Sequence, residues 1–399
     1  MLRPGTFALT TLLAGLSAIG PLTTDMYLPS LPDIVQRLGA TPAQGQLTIS
    51  SYLVGFAVGQ ILYGPLSDRH GRKPVLLGAI ALYCFASLAC TLATSIDLLI
   101  AARALQALGG CGGVVLARAM VRDLYSGPRA GRELSLIASV MALAPVLAPL
   151  AGGVLQVAFG WRSTFFTLAA AGISGVAIVW TLLPETLALR ASEPVSPASM
   201  LKSFAIVARS ASYLAHLGLA TACYAGLFAW ISASSFVLQG LYGLRPFSFG
   251  AAFALASVGY MAGAALAARS LPQIGLDMTL GLGGAALAAG GLGMVAAVAL
   301  GLSSAMSLVL PMAVYLAGMG MVLPAAIAGA LTPFPERAGA ASALLGFVQQ
   351  STASLCGAAV GMLLGSTAWP LAAAVAFTGC ATLLLWLATR AIRRQAIAH

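Results

Sequence analysis

Apolar residues run along this chain in long blocks separated by short polar clusters. The blocks fall at about 7–27, 46–66, 75–94, 98–117, 134–157, 163–183, 211–234, 248–268, 279–301, 305–331, 338–364 and 368–389. A helix needs roughly 20 apolar residues to cross a bilayer, so the pattern predicts twelve membrane helices joined by short connectors. The longest polar stretch, 185–209, carries Glu185, Arg190, Glu193, Pro194, Pro197, Lys202 and Arg209. It reads as a linker between an N-terminal six-helix bundle (1–184) and a C-terminal one (210–399). The expected fold class is an all-α membrane protein of two pseudo-symmetric six-helix bundles.

Composition supports the membrane reading. Of the 399 residues, 60 % are hydrophobic and 8 % charged, a third of the roughly 25 % that a soluble domain carries. A net charge of +10 could suggest nucleic acid, but the basic residues form no stripe beside aromatics. They fall in alternate connectors. With both termini in the cytoplasm, sixteen basic residues lie on that side and three, Arg37, Arg162 and Arg245, lie outside. That is the bias the positive-inside rule describes. Arg103 stands alone inside a span. The N-terminus, Arg3 followed by an apolar run to about Ala18–Gly20, imitates a signal peptide, but eleven spans follow and retention as the first membrane helix is expected. Cys84, Cys90, Cys111, Cys223, Cys356 and Cys380 sit inside apolar runs without metal-ligand spacing, as small buried hydrophobes. No metal or cofactor is expected. The absence of Asn and the ratio of eighteen Arg to two Lys point to a GC-rich bacterial genome, hence to a bacterial inner membrane.

An internal repeat reinforces the division. An offset of 204 residues superimposes Gly39 on Gly243, Pro42 on Pro246, Gly55 on Gly259, Gly59 on Gly263 and Gly71 on Gly275. Charges are not repeated: Asp68 maps to Pro272 and Arg69 to Gln273.

Three clusters carry candidate chemistry. The first is the connector G-P-L-S-D-R-H-G-R-K at 64–73, with Asp68, Arg69, Arg72 and Lys73 as charges and Gly64 and Gly71 as flexible points. Topology explains its cations but not Asp68. A carboxylate at a helix end can pair with nearby arginines or a facing helix N-terminus, and Arg118 and Arg122 are the expected partners. The second is T-T-D-M-Y-L-P-S-L-P at 23–32, where Asp25 lies near or within the membrane. A charge there costs about 2.5–3.5 kcal/mol at mid-bilayer. Arg103 lies at similar depth in the fourth span, so an Asp25–Arg103 pair at the wall of a cavity is expected, cheaper than either charge alone. Protonating Asp25 would break that pair. Gln106 shares a helical face with Arg103, and Gly109, Gly110, Gly112 and Gly113 make a thin surface for close packing. The third is A-P-V-L-A-P-L-A-G-G at 144–153, where Pro145 and Pro149 can kink the helix and Gly152 and Gly153 allow close contact.

These motifs resemble those of the major facilitator superfamily of secondary transporters. Gly64, Asp68, Arg69, Gly71, Arg72 and Lys73 fill every fixed position of its G-x-x-x-D-R-x-G-R-[RK] loop. Arg103 and Gln106 match its fourth-span R-x-x-Q-G, with Ala107 in place of the glycine. Pro149, Gly152 and Gly153 match its antiporter motif, with Ala144 and Ala148 where glycines are usual. Together with T-T-D-M-Y-L-P, the set looks like the bicyclomycin/chloramphenicol-resistance branch of drug:proton antiporters. The resemblance implies the major facilitator fold, a substrate site at the repeat interface, protons as coupling ion, amphipathic solutes as cargo and a monomer in the lipid bilayer. It implies proton coupling by Asp25 and Arg103 and inward gating by the 64–73 loop with Arg118 and Arg122. An adaptable apolar drug pocket would draw on Tyr27, Tyr52, Gln106, Met141, Tyr224, Trp230, Tyr260, Met319 and Gln349. His216 reads as a packing residue.

Other classes fit less well. The chain has no P-loop lysine for an ATPase, and its three scattered histidines form no hydrolase or transferase cluster. Two equivalent bundles favour a rocking transporter over a permanent pore. Within transporters, proton-coupled export or symport of a specific metabolite such as an amino acid or sugar stays open.

Overall fold

The computed structural model describes residues 6–125, 127–187 and 197–397. They form two compact units, Met1–Ser196 and Pro197–His399, and are helical almost throughout. The first unit contains α1 (Phe7–Asp25), a 3-10 turn (Leu28–Ser30), the short α2 (Leu31–Arg37), α3 (Pro42–His70), α4 (Arg72–Thr91), α5 (Ile96–Leu124), α6 (Gly127–Phe159) and α7 (Arg162–Leu182). The second contains α8 (Pro197–Ala208), α9 (Ala211–Ser235), α10 (Pro246–Ala299), α11 (Met306–Leu331), α12 (Ala338–Leu363), α13 (Trp369–Ala388) and α14 (Arg390–Ile397).

Eleven described helices are long and apolar enough to cross a membrane, and α10, with 54 residues, is one of them. A straight helix of that length would measure about 80 Å, far beyond a bilayer core of about 30 Å. The backbone breaks at Gly275 (φ 77°, ψ 172°). The two arms are the eighth and ninth expected spans, and the total is the twelve of the hydropathy pattern. Large apolar side chains such as Phe85, Trp180 and Phe377 stand exposed on the helix surfaces, as lipid-facing side chains do.

The repeat read from glycines and prolines has a structural counterpart at four of its five positions. Pro42 and Pro246 both open helices, where a missing N–H costs nothing. Gly39 and Gly243 both take positive φ, 61° and 69°. A Cβ on Gly55 would overlap the Ala104 carbonyl oxygen, and one on Gly259 the Ala313 carbonyl oxygen. Gly71 (φ 99°, ψ 153°) matches the break at Gly275. Both lie in a backbone region essentially restricted to glycine.

Two expectations need correction. The expected connector at 64–73 is helical almost throughout: α3 continues to His70 and α4 begins at Arg72, leaving Gly71 as the single hinge. In the expected linker 185–209, residues 188–196, including Arg190, Glu193 and Pro194, lie outside the described residues, and 197–208 form α8. Val207 of α8 is buried with Tyr213, Leu217, Ala330, Ala341 and Leu345, so this helix is part of the second unit's packing. Of the six cysteines, four are buried and Cys356 and Cys380 are half-buried, all as free thiols.

Candidate functional site

α5 lies at the centre of the first unit because its glycines let other helices touch its backbone. A Cβ on Gly109 would come within 2.5 Å of the Tyr83 nitrogen of α4, and one on Gly113 within 2.6 Å of the Leu16 carbonyl oxygen of α1. One turn and more before these glycines, Arg103 and Gln106 point into the resulting core, both fully buried.

Arg103 Nη1 donates to Gln106 Oε1 at 2.6 Å and to the Thr23 carbonyl oxygen at 3.3 Å. Gln106 Nε2 donates to Ser87 Oγ at 2.8 Å. Ser87 Oγ in turn donates to the Tyr83 carbonyl at 2.7 Å, and the Tyr83 hydroxyl meets Thr23 Oγ1 at 2.7 Å. A ring of hydrogen bonds thus joins α1, α4 and α5 around the guanidinium. Its faces are covered by aromatics: the carbon at its centre lies 4.3 Å from the ring centroids of both Tyr27 and Tyr52, and 5.8 Å from Phe165. A desolvated cation–π contact is worth about 2 kcal/mol, part of what this buried charge needs. Nε and Nη2 have no hydrogen-bond partner among the described residues.

The expected Asp25–Arg103 ion pair is not formed: the described ion pairs do not include it. Asp25 ends α1 and is buried, with 4 % of its surface exposed. The reason is rotational phase. At about 100° per residue, Thr23 and Asp25 face nearly opposite sides of α1, and it is Thr23 that faces Arg103 and Tyr83. Asp25 nonetheless sits two residues from the carbonyl that Arg103 already reaches. The α6 motif holds the chain just beyond it: a Cβ on Gly152 would overlap the Met26 carbonyl oxygen, and Pro149 and Gly153 are buried beside it while Pro145 is half-buried.

The α3–α4 corner forms a second polar centre. Arg72 is buried; its Nη1 donates to Asp68 Oδ1 at 2.5 Å and Ser67 Oγ at 2.6 Å, and its Nε to Asp123 Oδ2 at 2.8 Å. Glu185, just past α7, accepts from the backbone N–H of Arg72 at 2.9 Å and of Lys73 at 3.2 Å. That places a carboxylate on the α4 N-terminus, where the helix dipole favours it. Lys73 Nζ donates to the Trp180 carbonyl oxygen at 2.8 Å. Asp68 therefore pairs with Arg72 rather than with Arg118 or Arg122, because α3 extends to His70 and sets the two side chains four residues apart across the hinge. Arg69 and Arg122 are exposed, and Gly64 is half-buried without a close neighbour. Asp123 is not singled out in the sequence, and Glu185 reads there only as part of the linker.

Of the other expected pocket residues, one lies in the first unit and five in the second. Met141 is half-buried on α6. In the second unit Tyr224 packs on Phe228, with centroids 4.9 Å apart, and the buried Trp230 on Phe253 at 6.3 Å. Gln349 donates to the Ala220 carbonyl at 3.2 Å; Tyr260 is half-buried and Met319 buried. His216 Nδ1 lies 2.8 Å from the Ser212 carbonyl oxygen, a local helix bond that fits packing. The second unit also contains an ion pair the sequence did not announce. Arg393 of α14 is buried and donates from Nη2 to Asp277 Oδ1 at 2.7 Å, while Trp386 Nε1 donates to the Asp277 carbonyl at 2.9 Å.

Comparison with known proteins agrees with this architecture. The family model described as Major Facilitator Superfamily matches residues 13–356. The chain is 30 % identical to the Bicyclomycin resistance protein homolog of Haemophilus influenzae, over 92 % of both chains. It is also 30 % identical to Multidrug resistance protein D of Escherichia coli, over 97 % of both. Among solved structures, the partially occluded, inward-open xylose transporter XylE of E. coli superimposes with a TM-score of 0.75 at 14 % identity, covering 96 % of this chain and 97 % of that one. With twelve spans in two repeats and the family match over most of its length, the chain belongs to the major facilitator superfamily.

Proposed function

We propose that this protein exports amphipathic antimicrobials across a bacterial inner membrane by proton-coupled alternating access. The observation that carries the reading is Asp25: a buried carboxylate without a hydrogen bond or ion pair among the described residues, two positions from the carbonyl held by the equally buried Arg103. A carboxylate in such a place is stable when protonated and needs a cation when it is not. Protonated Asp25 leaves Arg103 in its aromatic and amide surroundings. Deprotonated Asp25 can meet the guanidinium only when α1 turns, because the two face different sides of it, and the Tyr27, Tyr52 and Gln106 contacts change with that turn. Drug resistance named in two relatives at 30 % identity supports drugs as cargo.

The α3–α4 corner serves in this reading as the inward gate. It fastens the ends of α3, α4, α5 and α7 to one another through Arg72 and Glu185, and it opens when those bonds part. The positive-inside charge bias supports a cytoplasmic location for this corner and for both termini. The protein acts as a monomer with no cofactor. The test is growth on a panel of antimicrobials in a host stripped of its own pumps, with wild type, Asp25→Asn and vector. Wild type confers resistance and Asp25→Asn does not; equal resistance from both overturns the role of Asp25.

A further inference from the structure

Three helices of the second unit, α9, α12 and α13, enclose a groove of about 350 Å³. Leu214, Gly218, Thr221 and Ala225 line it from α9, and their spacing of three and four residues makes them one stripe on one face of that helix. Thr352 of α12 and Phe377 of α13 also line it. Its surface is almost entirely hydrocarbon. The Thr378 hydroxyl, on the lining, meets the Tyr315 hydroxyl at 3.1 Å, and Thr221 Oγ1 is buried away from the opening. The rim is open: Phe377 is 74 % exposed and Leu214 47 %.

The groove has the length and depth of one lipid tail. From Leu214 to Ala225 the stripe runs about 17 Å along the helix, a little over half of a hydrocarbon core of about 30 Å. It occupies the first half of the span Ala211–Leu241. Thr352 and Phe377 lie close to the midpoints of α12 and α13. The groove therefore starts near one membrane surface and ends near the middle of the bilayer.

The surface end carries cations. α8 is fastened there by Val207, which is buried in a cluster with Leu217, and Val348 packs against the same cluster; Leu217 and Val348 both belong to the groove lining. Lys202 and Arg209 are exposed. Five residues before Val207 and two after it, at about 100° per residue, both point away from the buried side of α8. Neither makes an ion pair among the described residues, and the Asp277 carboxylate is held by Arg393.

We propose that this groove is a phospholipid site: it holds one acyl chain of an anionic phospholipid whose phosphate sits on Lys202 and Arg209. The chain fills space that the three helices leave open and gains their dispersion contacts. The phosphate gains charge-assisted hydrogen bonds from the ammonium and the guanidinium. The two requirements act together, because only a lipid with its head at the α8 level can lay its tail along the stripe. The site stands on the packing of the second unit alone and does not depend on the cargo or on the role of Asp25.

The test uses the full-length protein in phosphatidylcholine nanodiscs containing a trace of phosphatidylglycerol with a photoactivatable diazirine midway along one chain. After irradiation, labelled peptides are mapped and unlabelled lipids compete. In wild type the label concentrates on the α9 stripe and around Phe377, and unlabelled phosphatidylglycerol displaces it at about a tenth of the phosphatidylcholine concentration. Gly218→Phe, and independently Thr352→Phe, fill the groove and cut that labelling about ten-fold, while labelling around the exposed Trp180 of the first unit stays unchanged and reports an intact fold. Lys202→Gln with Arg209→Gln keeps the labelled positions but abolishes the preference for phosphatidylglycerol. Label spread evenly over lipid-exposed faces, labelling unaltered in both filled variants, a preference that survives loss of both cations, or displacement by free oleate as effective as by phosphatidylglycerol each overturns the site.

Discussion

The two hinge glycines make a matched pair of perturbations. Gly71 and Gly275 occupy equivalent places in the repeat and the same glycine-only backbone region, where alanine costs about 1–3 kcal/mol in strain. Their surroundings differ. At Gly275 a Cβ would enter open space; at Gly71 it would stand 2.5 Å from Glu185 Oε2 and displace the carboxylate. Glu185 accepts the Arg72 and Lys73 N–H groups. A hydrogen bond to a charged group contributes about 1.5–3 kcal/mol, but Glu185 is exposed, and screening reduces the pair to about 1 kcal/mol in all. Gly71→Ala should therefore destabilise the protein by about 1 kcal/mol more than Gly275→Ala. For a unit of about 200 residues that is a further 2–4 °C in the unfolding midpoint. Thermal unfolding of the purified protein, followed by a dye that reacts with the buried cysteines as they emerge, measures both. In a Glu185→Ala background the excess should vanish, since the displaced group is already gone. An excess that persists there, or a larger effect at Gly275, would refute the reasoning.

Two further perturbations concern ion pairs. Asp123 and Asp68 both hold Arg72, but the Asp123 side chain is 17 % exposed and that of Asp68 43 %; Asp123→Asn should cost about 2 kcal/mol and Asp68→Asn no more than about 1 kcal/mol, and the reverse order of midpoints would contradict the geometry. Asp277→Asn leaves the buried Arg393 without its carboxylate and should cost about 3 kcal/mol; adding Arg393→Gln should recover part of the loss, so a double variant as unstable as the sum of the singles would count against the pair.

The membrane spans were legible because lipid demands unbroken apolar runs and satisfied backbones, and the repeat was legible because glycine and proline record backbone shape directly. Side-chain partners were not. Sequence gives the depth of Asp25 and Arg103 along their helices, but whether they meet depends on angular position. α1 is buried on several faces, so no polar side marks its orientation. Asp68 was assigned to the wrong arginines because a charged G-x-x-x-D-R-x-G-R-K run reads as a loop, whereas helix geometry reaching His70 delivers Arg72 to it. Glu185 and Asp123 act at helix ends brought together by folding, and Arg393, one of three arginines in a terminal tail, looked like a topology charge until Asp277 was found beside it.

Inverted membrane vesicles carrying the protein test the central claim most directly. The driving force is an imposed pH gradient, acid inside, and the cargo is whichever antimicrobial the growth panel identifies. Wild type should accumulate it when the gradient is applied and release it when the gradient is collapsed. Asp25→Asn should insert and bind the same compound but show no accumulation driven by the gradient. Gradient-driven accumulation by Asp25→Asn at the wild-type rate would contradict the account, because the proton would then be carried elsewhere.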